Sequence, residues 1–519
     1  MKRIEGIFEV KIPNMDPMMD QKIKEAIAKA VAENVCEEST VEYDPHNMTM
    51  MTDLYEITMG QVNHTNRETE MIEFYDEFFR KEPLNAGYGI VAGLDQIIDY
   101  IEHLHFTEED INYLRSLDKF TEEYLDYLRH FEFTGDLYAM PDGTAVFRNE
   151  PILTVVAPAI ECKIMETALL SITNGHIAYA TAARKIVNAA DHIPVMEFGA
   201  RRAYGPHAAI DASKTAVMVG CSGTSNVKAA KDFGLIPMGT MAHSAVMEST
   251  SEYESFKKYA SSFPNNPLFL ADTYDTLNSG VKNAVQVAKD LGIQLGGIRI
   301  DSGDLAYLSK QAKEIMQKDF PNAKICLSNG LTAETIESLR LQGAVMDSLG
   351  VGDNISSPDQ RVGAVYKNSA IIKNNEIIPK MKVSGETIKT TNPGFKKVYR
   401  FYDRETGYAL GDIIATSDEI IPEEEYTLVN ENEPWRRKTL RNYIVKELHQ
   451  QIYKNGKLIY QDPSLEEKIK YCEAQMASLY PEIKRSSKPH QYYVDLTDQL
   501  REIKRGLMES YREEKRKQQ

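Results

Sequence analysis

The sequence of 519 residues lacks the features that mark several large classes of protein. Its five cysteines are scattered with no CxxC spacing, so neither a disulfide framework nor a zinc site is indicated, and a reducing compartment is expected. No apolar run approaches the ~20 residues that cross a bilayer, and the N-terminus has no continuous apolar core like that of a signal peptide. The formal net charge is -17, which argues against the basic surface that nucleic acid or an acidic membrane requires. We therefore expect a soluble, cytoplasmic protein with no nucleic-acid or membrane partner.

The chain does have an ordinary globular composition and, in its middle part, alternating strands and helices. Hydrophobic residues make up 42% and charged residues 26%, and the length allows two or more packed units. From Leu268 to Met346 the predicted strands recur roughly every 25 to 30 residues, the length of a strand plus a crossover helix. Such units either close into a barrel or form an open sheet. In parallel barrels the chemistry lies at the C-terminal ends of the strands. The polar residues that follow the predicted strands are Arg201, Arg202, His243, Asp272, Asp275, Asp301, Asp304, Asn329 and Asp353.

Three further segments flank this alternating region, which spans residues 164–385. Residues 1–45 contain an apolar stripe with a spacing of four, from Ile23 to Val35, that predicts an N-terminal helical extension. Residues 46–163 mix helical patterns with short strands and predict a small α+β domain. Residues 386–519 predict a C-terminal segment that packs on the N-terminal domain and on the barrel.

The stretch GGIRIDSGDL, residues 296–305, places three charges at the end of a short apolar run. Burial of charges is costly unless a charged group is bound. The alternative is a strand that ends in a capped helix, with Ser302 or Asp304 as the N-cap. The next two strands end in LSNGL and LGVGDN, whose glycine-rich turns can point amide groups at a phosphate. Three successive strand ends of this composition favour a phosphorylated ligand.

His243 lies in GTMAHSAV beside two hydroxyl residues, Thr240 and Ser244. A lone histidine near an apolar run is more often a core residue, but a predicted strand end makes His243 a candidate nucleophile or base. Asp272 ends the next predicted strand. We expect its carboxylate to accept a hydrogen bond from the second ring nitrogen of His243 and so to fix the tautomer.

Six motifs, taken in order, resemble those of the nicotinate phosphoribosyltransferase family. They are MMTDLYEITM, EFGARRA, GTSN, GTMAHS, ADTYDT and IRIDSGDL, and the resemblance extends to KPHQYYVDLTDQL near the C-terminus. It implies an α/β fold, an irregular TIM-like α/β barrel with a smaller α+β domain built from N- and C-terminal segments. The implied reaction converts nicotinate and 5-phosphoribosyl 1-pyrophosphate into nicotinate mononucleotide and pyrophosphate in NAD salvage, with coupled hydrolysis of ATP. The family also implies a homodimer and Mg²⁺, which accompanies ATP and phosphoribosyl pyrophosphate.

The resemblance also implies roles for individual residues. Tyr55 and Phe198 correspond to the two aromatic faces around the pyridine ring, and Tyr55 would reach the site of the partner subunit. Arg299 and Thr240 correspond to the residues that hold the nicotinate carboxylate, and His243 to the histidine that is phosphorylated from ATP. The residues implied for phosphoribosyl pyrophosphate are Arg201, Asp301, Ser302, Gly303, Asn329, Gly330, Gly350 and Gly352.

Ser225, in GTSN, distinguishes two related substrates. Sister enzymes that use nicotinamide carry an aspartate there, which would repel a carboxylate by about 4 kcal/mol at about 4 Å in an effective dielectric of 20. Serine therefore predicts nicotinate. The chain departs from the family at Asp353, where a threonine is common in the last phosphate loop. Either Asp353 points away and the glycine amides bind the phosphate, or the register differs by a residue or two.

Two other functions stay open on the sequence alone. A barrel enzyme acting on another sugar phosphate, such as an aldolase, would use His243 as acid or base. It would need a Schiff-base lysine or a metal cluster at a strand end, and the sequence indicates neither. A non-enzymatic binding or assembly protein with the same barrel would show no turnover and no labelling of His243. Because no P-loop lysine motif is present, an ATP site would overlap the pyrophosphate site.

Overall fold

Two large sheets organise the part of the chain that the structure describes. The structure is a computed structural model, and it describes residues 46–384, 389–431 and 433–518. The predicted N-terminal helical extension, residues 1–45, lies outside the described residues. From Asn47 onward the chain belongs to one compact unit.

Many helices follow a residue whose side chain accepts a hydrogen bond from an amide group of the first turn. Helix α1 follows Asp53, whose backbone N–H donates to Glu56 Oε2 at 3.3 Å in a capping box. Asp304 caps α12 by accepting from Tyr307 N at 3.0 Å. The helices are α1 Leu54–Thr65, α2 Leu94–Glu102, α3 Glu108–Ser116, α4 Glu122–Arg129, α5 Ala159–Ile164, α6 Glu166–Ala190, α7 Pro206–Met218, α8 Val227–Phe233, α9 His243–Met247, α10 Glu252–Ser262, α11 Val281–Leu291, α12 Leu305–Met316, α13 Ala333–Leu341, α14 Asp353–Ser356, α15 Leu465–Ser478 and α16 Asp498–Gln518.

The strands range from two to ten residues. They are β1 Ile72–Phe79, β2 Gly89–Ile90, β3 Asp136–Ala139, β4 Ala145–Val146, β5 Leu153–Pro158, β6 Val195–Glu197, β7 Gly223–Thr224, β8 Leu268–Leu270, β9 Gly297–Ile300, β10 Lys324–Leu327, β11 Ser348–Val351, β12 Ala364–Lys373, β13 Glu376–Pro379, β14 Lys396–Asp403, β15 Ala409–Thr416, β16 Glu425–Val429, β17 Arg437–Arg441, β18 Tyr443–Glu447, β19 Gln450–Lys454, β20 Lys457–Leu458 and β21 Val494–Leu496.

The antiparallel sheet has seven strands in the order β13-β12-β1-β5-β3-β19-β20. It combines strands from distant parts of the sequence, since β1 pairs with β12 and β3 pairs with β19. Strands β12 and β13 fall within the range 164–385 but pair with the N-terminal strands. A four-stranded sheet, β18-β14-β15-β21, and the hairpin β16-β17 complete the C-terminal part.

The parallel sheet has six strands in the order β7-β6-β11-β10-β9-β8, and it positions the candidate site. Its core is aliphatic: Ile298 and Ile300 of β9 are fully buried, as are Leu327 and Leu349 of β10 and β11. Side chains alternate between the two faces of a strand. Arg299 therefore faces away from the side that Ile298 and Ile300 occupy.

The predicted α/β organisation with parallel strands is confirmed, but closure into a barrel is not observed among the described residues. Strands β7 and β8 are the two edges of the sheet, and they do not pair with each other. The run LIPMGTMA, residues 235–242, leads up to His243, where the sequence predicted the end of a strand, and it contributes a single bridge between Thr224 and Pro237. A proline lacks the amide N–H that a continuing ladder needs.

Two findings bear on the expectations drawn from composition. Cysteines 162, 221, 326 and 472 are all unpaired and buried. Among the described residues, the helices are all too short or too polar to cross a membrane.

Candidate active site

The parallel sheet brings most of the predicted site residues to one edge. Each parallel strand ends on the same side, so residues that follow different strands become neighbours. Phe198 follows β6, Ser225 follows β7, Asp272 follows β8 and Asp301 follows β9. Thr240 lies just before α9, His243 begins α9, and Arg299 lies in β9. The other residues of this edge lie in the turns after β9 and β10 and in or after β11: Ser302, Gly303, Asn329, Gly330, Gly350 and Gly352.

Arg299 is the main cation that points from the sheet into this edge. Its Nη1 donates to Thr240 Oγ1 at 3.0 Å, so the two residues predicted to share one ligand are in contact. Its Nε is buried and has no hydrogen-bond partner. A buried donor of a charged group without a partner is costly. The guanidinium therefore has an unused donor that suits an anionic ligand with two oxygens.

His243 is the first residue of the short helix α9, not the last residue of a strand as its sequence context predicted. Its Nδ1 lies 3.1 Å from Thr273 Oγ1, and its Nε2 lies 3.8 Å from Asp301 Oδ2. The side chain is 41% exposed. One ring nitrogen is thus oriented by a hydroxyl, while the other faces a carboxylate at an accessible surface.

The predicted hydrogen bond between Asp272 and His243 is wrong. Asp272 Oδ2 accepts from the backbone N of Asp301 at 3.1 Å and from Ser302 Oγ at 2.5 Å, and Oδ1 is buried with no hydrogen-bond partner. Asp272 thus holds the turn after β9, and the neighbouring Thr273 contacts the imidazole instead. The reason is local, because successive residues after a strand point in different directions.

The turn after β9 tests the two interpretations of GGIRIDSGDL, a ligand site and a strand followed by a capped helix. Asp304 is the N-cap of α12, as the structural alternative predicted. Asp301 instead faces His243, and its Oδ1 accepts from Ser328 Oγ at 2.5 Å. Gly303 has a φ of +81°, which a side chain would disfavour. The stretch therefore contains both a helix cap and residues of the candidate site.

The turns after β10 and β11 form the part expected to hold a phosphate. Asn329 and Gly330 both have positive φ values, 107° and 54°. Asn354 Nδ2 donates to the carbonyls of Gly330 and Leu331 at 3.2 and 2.9 Å, which joins the two turns.

Asp353, the residue that departs from the family pattern, lies 3.4 Å from Arg202 Nε. Both side chains are more than half exposed. Asp353 is therefore turned toward a cation, which favours the alternative in which glycine amides face the ligand. The neighbouring Arg201 is exposed.

Phe198 packs on Gly350 at the same edge. A Cβ atom at Gly350 would lie 2.6 Å from two carbons of the Phe198 ring, so only glycine allows the ring to lie there. Phe198 N donates to Val351 O at 2.7 Å, which fixes the start of the turn. The ring is partly exposed and offers one aromatic face.

Ser225 and Tyr55 occupy different regions. Ser225 is exposed directly after β7, and its N donates to Glu197 O at 2.9 Å. Tyr55 is 46% exposed on α1, a helix that packs mainly on α4 and α5 beside the antiparallel sheet. Partial burial, followed by the charge of Glu166, raises the pKa of the Tyr55 phenol. Within one chain the structure therefore does not group Tyr55 with the residues of the parallel sheet.

Sequence reasoning missed three residues that the structure adds to this edge. Thr273 orients His243, Ser328 fixes Asp301, and Glu197 lies buried behind Phe198. Thr273 and Glu197 are inside the motifs ADTYDT and EFGARRA. Each adjoins a predicted site residue in the sequence, and this adjacency was the signal that could have identified it.

Three family models describe nearly the whole of the compact unit. The nicotinate phosphoribosyltransferase N-terminal domain matches residues 50–174, the nicotinate phosphoribosyltransferase family matches residues 193–400, and the nicotinate phosphoribosyltransferase C-terminal domain matches residues 395–504.

Individual relatives and solved structures agree with these matches. The nicotinate phosphoribosyltransferase of Bacillus subtilis is 39% identical over 482 residues, which cover 90% of this chain and 98% of the relative. That of Dictyostelium discoideum is 32% identical over 514 residues, with 87% and 86% coverage. The crystal structure of human nicotinic acid phosphoribosyltransferase has the same fold, with a TM-score of 0.76 at 24% identity and with 88% and 99% coverage. The motifs at the sheet edge, the three domain matches and these identities show that the chain belongs to the nicotinate phosphoribosyltransferase family.

Proposed function

We propose that this protein converts nicotinate and 5-phosphoribosyl 1-pyrophosphate into nicotinate mononucleotide and pyrophosphate. The observation that carries the proposal is Arg299, whose Nε is buried without a partner while Nη1 contacts Thr240. A carboxylate on a flat ring would satisfy this donor, and family membership supplies nicotinate as the candidate.

The nicotinate subsite would lie between Phe198 and the Arg299–Thr240 pair. The partly exposed ring of Phe198 would stack on one face of the pyridine, an interaction worth about 1 kcal/mol beyond area burial. The fork of Arg299 would bind the carboxylate through two donors. Ser225, which carries no charge, would leave the carboxylate unopposed.

The second aromatic face would come from another copy of the chain. Tyr55 lies on α1, which exposes an apolar stripe that includes Met59 and Val62. Contiguous exposed apolar side chains of this kind support a protein interface. We propose a homodimer in which Tyr55 of each chain completes the site of the other.

The phosphoribosyl pyrophosphate subsite would lie beside this pocket, at the turns after β9, β10 and β11. The glycine-rich turns offer amide groups to the 5-phosphate, and Arg202 neutralises Asp353 at 3.4 Å. Asp301 would face the ribose and Arg201 the pyrophosphate. The residues proposed for the 5-phosphate are Ser302, Gly303, Asn329, Gly330, Gly350 and Gly352.

In the proposed reaction the pyridine nitrogen attacks the anomeric carbon while the bond to pyrophosphate breaks. The electron pair of that bond leaves with the pyrophosphate, so little proton transfer is needed and orientation dominates the rate. Mg²⁺, when bound, would stabilise the charge of the leaving group. Asp272 Oδ1, buried without a hydrogen-bond partner, and the carboxylate of Asp301 are oxygen ligands of the type that Mg²⁺ prefers.

We further propose that hydrolysis of ATP is coupled to this reaction through phosphorylation of His243. In the tautomer in which Nδ1–H donates to Thr273 Oγ1, Nε2 carries the lone pair that attacks the γ-phosphorus. The bond from phosphorus to the bridging oxygen breaks, and ADP leaves. The added phosphoryl charge would then lie beside Asp301, where it can change how the site binds its substrates.

The decisive experiment measures nucleotide formation from nicotinate and phosphoribosyl pyrophosphate, with and without ATP. We expect turnover in both cases and a lower KM for phosphoribosyl pyrophosphate with ATP. Absence of the nucleotide from the folded dimer would refute the proposed activity.

Labelling with γ-labelled ATP tests the phosphohistidine separately. The label should be acid-labile and should disappear in His243→Asn. It should persist in His192→Asn, because the side chain of His192 is fully exposed and His192 precedes β6, whereas the site residue Phe198 follows it. A label that survives in His243→Asn would refute the assignment without affecting the transferase proposal.

A further inference from the structure

Glu197 is a fully buried carboxylate directly before Phe198, at the end of β6. Its two oxygens are surrounded by donors. Oε1 accepts from the backbone N–H of Gly199 and from Ser356 Oγ, the latter at 2.9 Å. Oε2 accepts from Thr224 Oγ1 at 2.6 Å and has Ser213 Oγ at 3.0 Å. All of these donors are neutral.

These donors are not equally committed to Glu197. A hydroxyl group has one hydrogen to donate. Ser213 Oγ also lies 2.8 Å from the carbonyl of Ala209, so it divides its hydrogen between two acceptors. Ser356 and Thr224 have no such competing acceptor among the contacts of the described residues. They are the stronger hydroxyl links, one on each carboxylate oxygen.

The donors belong to separate elements that carry residues of the two proposed subsites. Gly199 follows Phe198, and Thr224 precedes Ser225, so both adjoin the nicotinate side. Ser356 ends α14, the short helix that follows the glycine-rich turn on the phosphate side. One carboxylate therefore ties together elements that bind different substrates.

The turn at Gly199 is packed too closely to shift independently. A Cβ atom at Gly199 would overlap Ser356 Oγ and would lie 2.6 Å from the carbonyl oxygen of Gly352. The turn that carries Phe198 is thus in direct contact with the last phosphate loop. A displacement of one of these elements has to move the other or break a bond to Glu197.

We propose that Glu197 is a positioning residue that couples the nicotinate subsite to the phosphoribosyl pyrophosphate subsite, an inference that rests on the proposed function. A carboxylate offers about four acceptor sites, and here donors occupy both oxygens. Glutamine would keep the shape but would supply only one acceptor oxygen, with its NH₂ group directed at donors. One of the two pairs of contacts would then be lost, and the two subsites would no longer be held in a fixed relation.

The test compares Glu197→Gln with Glu161→Gln. Glu161 is also a buried carboxylate, and it accepts from Thr134 N and Oγ1 at 2.8 and 2.7 Å, but it lies on α5 beside the other sheet. A misplacement of about 1 Å at a reacting group can cost about 100-fold in rate. We expect kcat/KM of Glu197→Gln to fall at least about tenfold for both substrates, with Glu161→Gln within about twofold of wild type. Equal losses in the two variants would overturn the proposal.

Variants of the two hydroxyl partners separate coupling from general loosening. Ser356→Ala should raise KM for phosphoribosyl pyrophosphate about threefold or more while KM for nicotinate changes less. Thr224→Val should raise KM for nicotinate by a similar factor while KM for phosphoribosyl pyrophosphate changes less. Equal changes in both KM values in both variants would overturn the proposal.

Assay of the wild-type protein distinguishes failure of the proposed function from failure of the role proposed for Glu197. Lack of nucleotide formation by the wild-type protein refutes the proposed function. Turnover by the wild type together with an unchanged Glu197→Gln variant refutes only the role of Glu197.

Discussion

Arg299 in β9 and Arg400 in β14 differ in how completely the chain satisfies their guanidinium groups. Arg400 is fully buried and donates to both oxygens of Asp412 at 2.6 to 3.0 Å, to Gln475 Oε1 at 2.8 Å and to the carbonyl of Ala145 at 2.7 Å. Arg299 has one such contact, to Thr240, and a buried Nε without a partner. The saturated arginine stabilises the fold, whereas the unsaturated one is available to a ligand.

Several buried carboxylates differ between the two regions in the kind of partner that each one has. Away from the parallel sheet, three of them are paired with buried lysines. The pairs are Asp76 with Lys396 at 2.7 Å, Glu73 with Lys163 at 2.8 Å and Asp142 with Lys468 at 2.9 Å. At the edge of the parallel sheet, Glu197 and Asp272 accept from hydroxyl and amide groups instead. The donors to these two carboxylates are neutral, so neither acid uses an arginine, and the charge of Arg299 remains available for an anionic substrate.

The largest effect should come from Arg400→Met. This change leaves the fully buried carboxylate of Asp412 without its cation, although Tyr492 still donates to it at 2.7 Å. Loss of one partner of a buried ion pair costs about 3 to 5 kcal/mol of unfolding free energy. Chemical denaturation measures it.

The control is Arg441→Met, because Arg441 pairs with Glu425 on the surface of the neighbouring hairpin. An exposed pair contributes about 0 to 1 kcal/mol. If both variants lose the same free energy of unfolding, then Arg400 does not stabilise the fold more than an exposed arginine does.

The second effect concerns Arg299→Lys, which keeps the charge and removes the fork. We expect kcat/KM for nicotinate to fall about 100-fold or more, since lysine cannot bind a carboxylate through two fixed donors. The melting temperature should stay close to that of wild type, because the chain itself makes little use of the guanidinium. Steady-state kinetics and thermal unfolding measure the two quantities.

Arg340→Lys controls for the same change of side chain elsewhere. Arg340 lies on α13, where it contacts the carbonyl of Ala189 and the carboxylate of Asp191. It should leave kcat/KM unchanged. A loss of stability in Arg299→Lys without a loss of activity would reverse the roles assigned to the two arginines.

The sequence predicts the edge of the parallel sheet well because chain order and strand direction alone decide which residues meet there. Arg299 and Thr240 are 59 positions apart in the sequence and are in contact, as their shared predicted role requires. The same logic cannot choose between adjacent residues after a strand. Asp272 was predicted to orient His243, yet Thr273 does so, since side-chain direction in a turn depends on packing that the sequence pattern does not encode.

The sequence also did not predict whether the sheet closes or which hydroxyl groups hold the carboxylates of the site in place. A closed barrel requires a strand in the run around Pro237, and the structure has only a bridge there. Ser328 and Ser356 look like ordinary loop residues until their acceptors, Asp301 and Glu197, are located. Hydroxyl groups bond to whatever lies near them, so their partners emerge only from the tertiary fold.

A third effect compares Glu197 with Glu77, a buried carboxylate that has no donors. Both oxygens of Glu77 are buried without partners, and the nearby Thr173 hydroxyl donates to Leu169 O at 2.8 Å. Burial raises the pKa of Glu77 to about 8. An unfolded glutamate ionises near pH 4.3. Between these values the native state binds more protons than the unfolded state, so the contribution of Glu77 to stability falls as pH rises.

Glu77→Gln should remove this pH dependence. Relative to wild type, the variant should gain stability as the pH rises from about 4.3 to 8, by at most about 1.4 kcal/mol for each pH unit. Chemical denaturation at pH 5, 7 and 9 gives the difference. A difference that stays constant with pH would mean that Glu77 is ionised in the folded protein.

The smallest predicted effect concerns how a charge at position 225 changes the preference between nicotinate and nicotinamide. Ser225 is exposed directly after β7, so an aspartate there would fit without disturbing the core. Ser225→Asp should lower the ratio of kcat/KM for nicotinate to that for nicotinamide by about tenfold or more, because a carboxylate repels nicotinate and can accept from an amide. Ser225→Ala, which adds no charge, should keep the preference for nicotinate. If the aspartate leaves the ratio unchanged, then the substrate carboxylate lies away from β7, and Arg299 selects the substrate without help from Ser225.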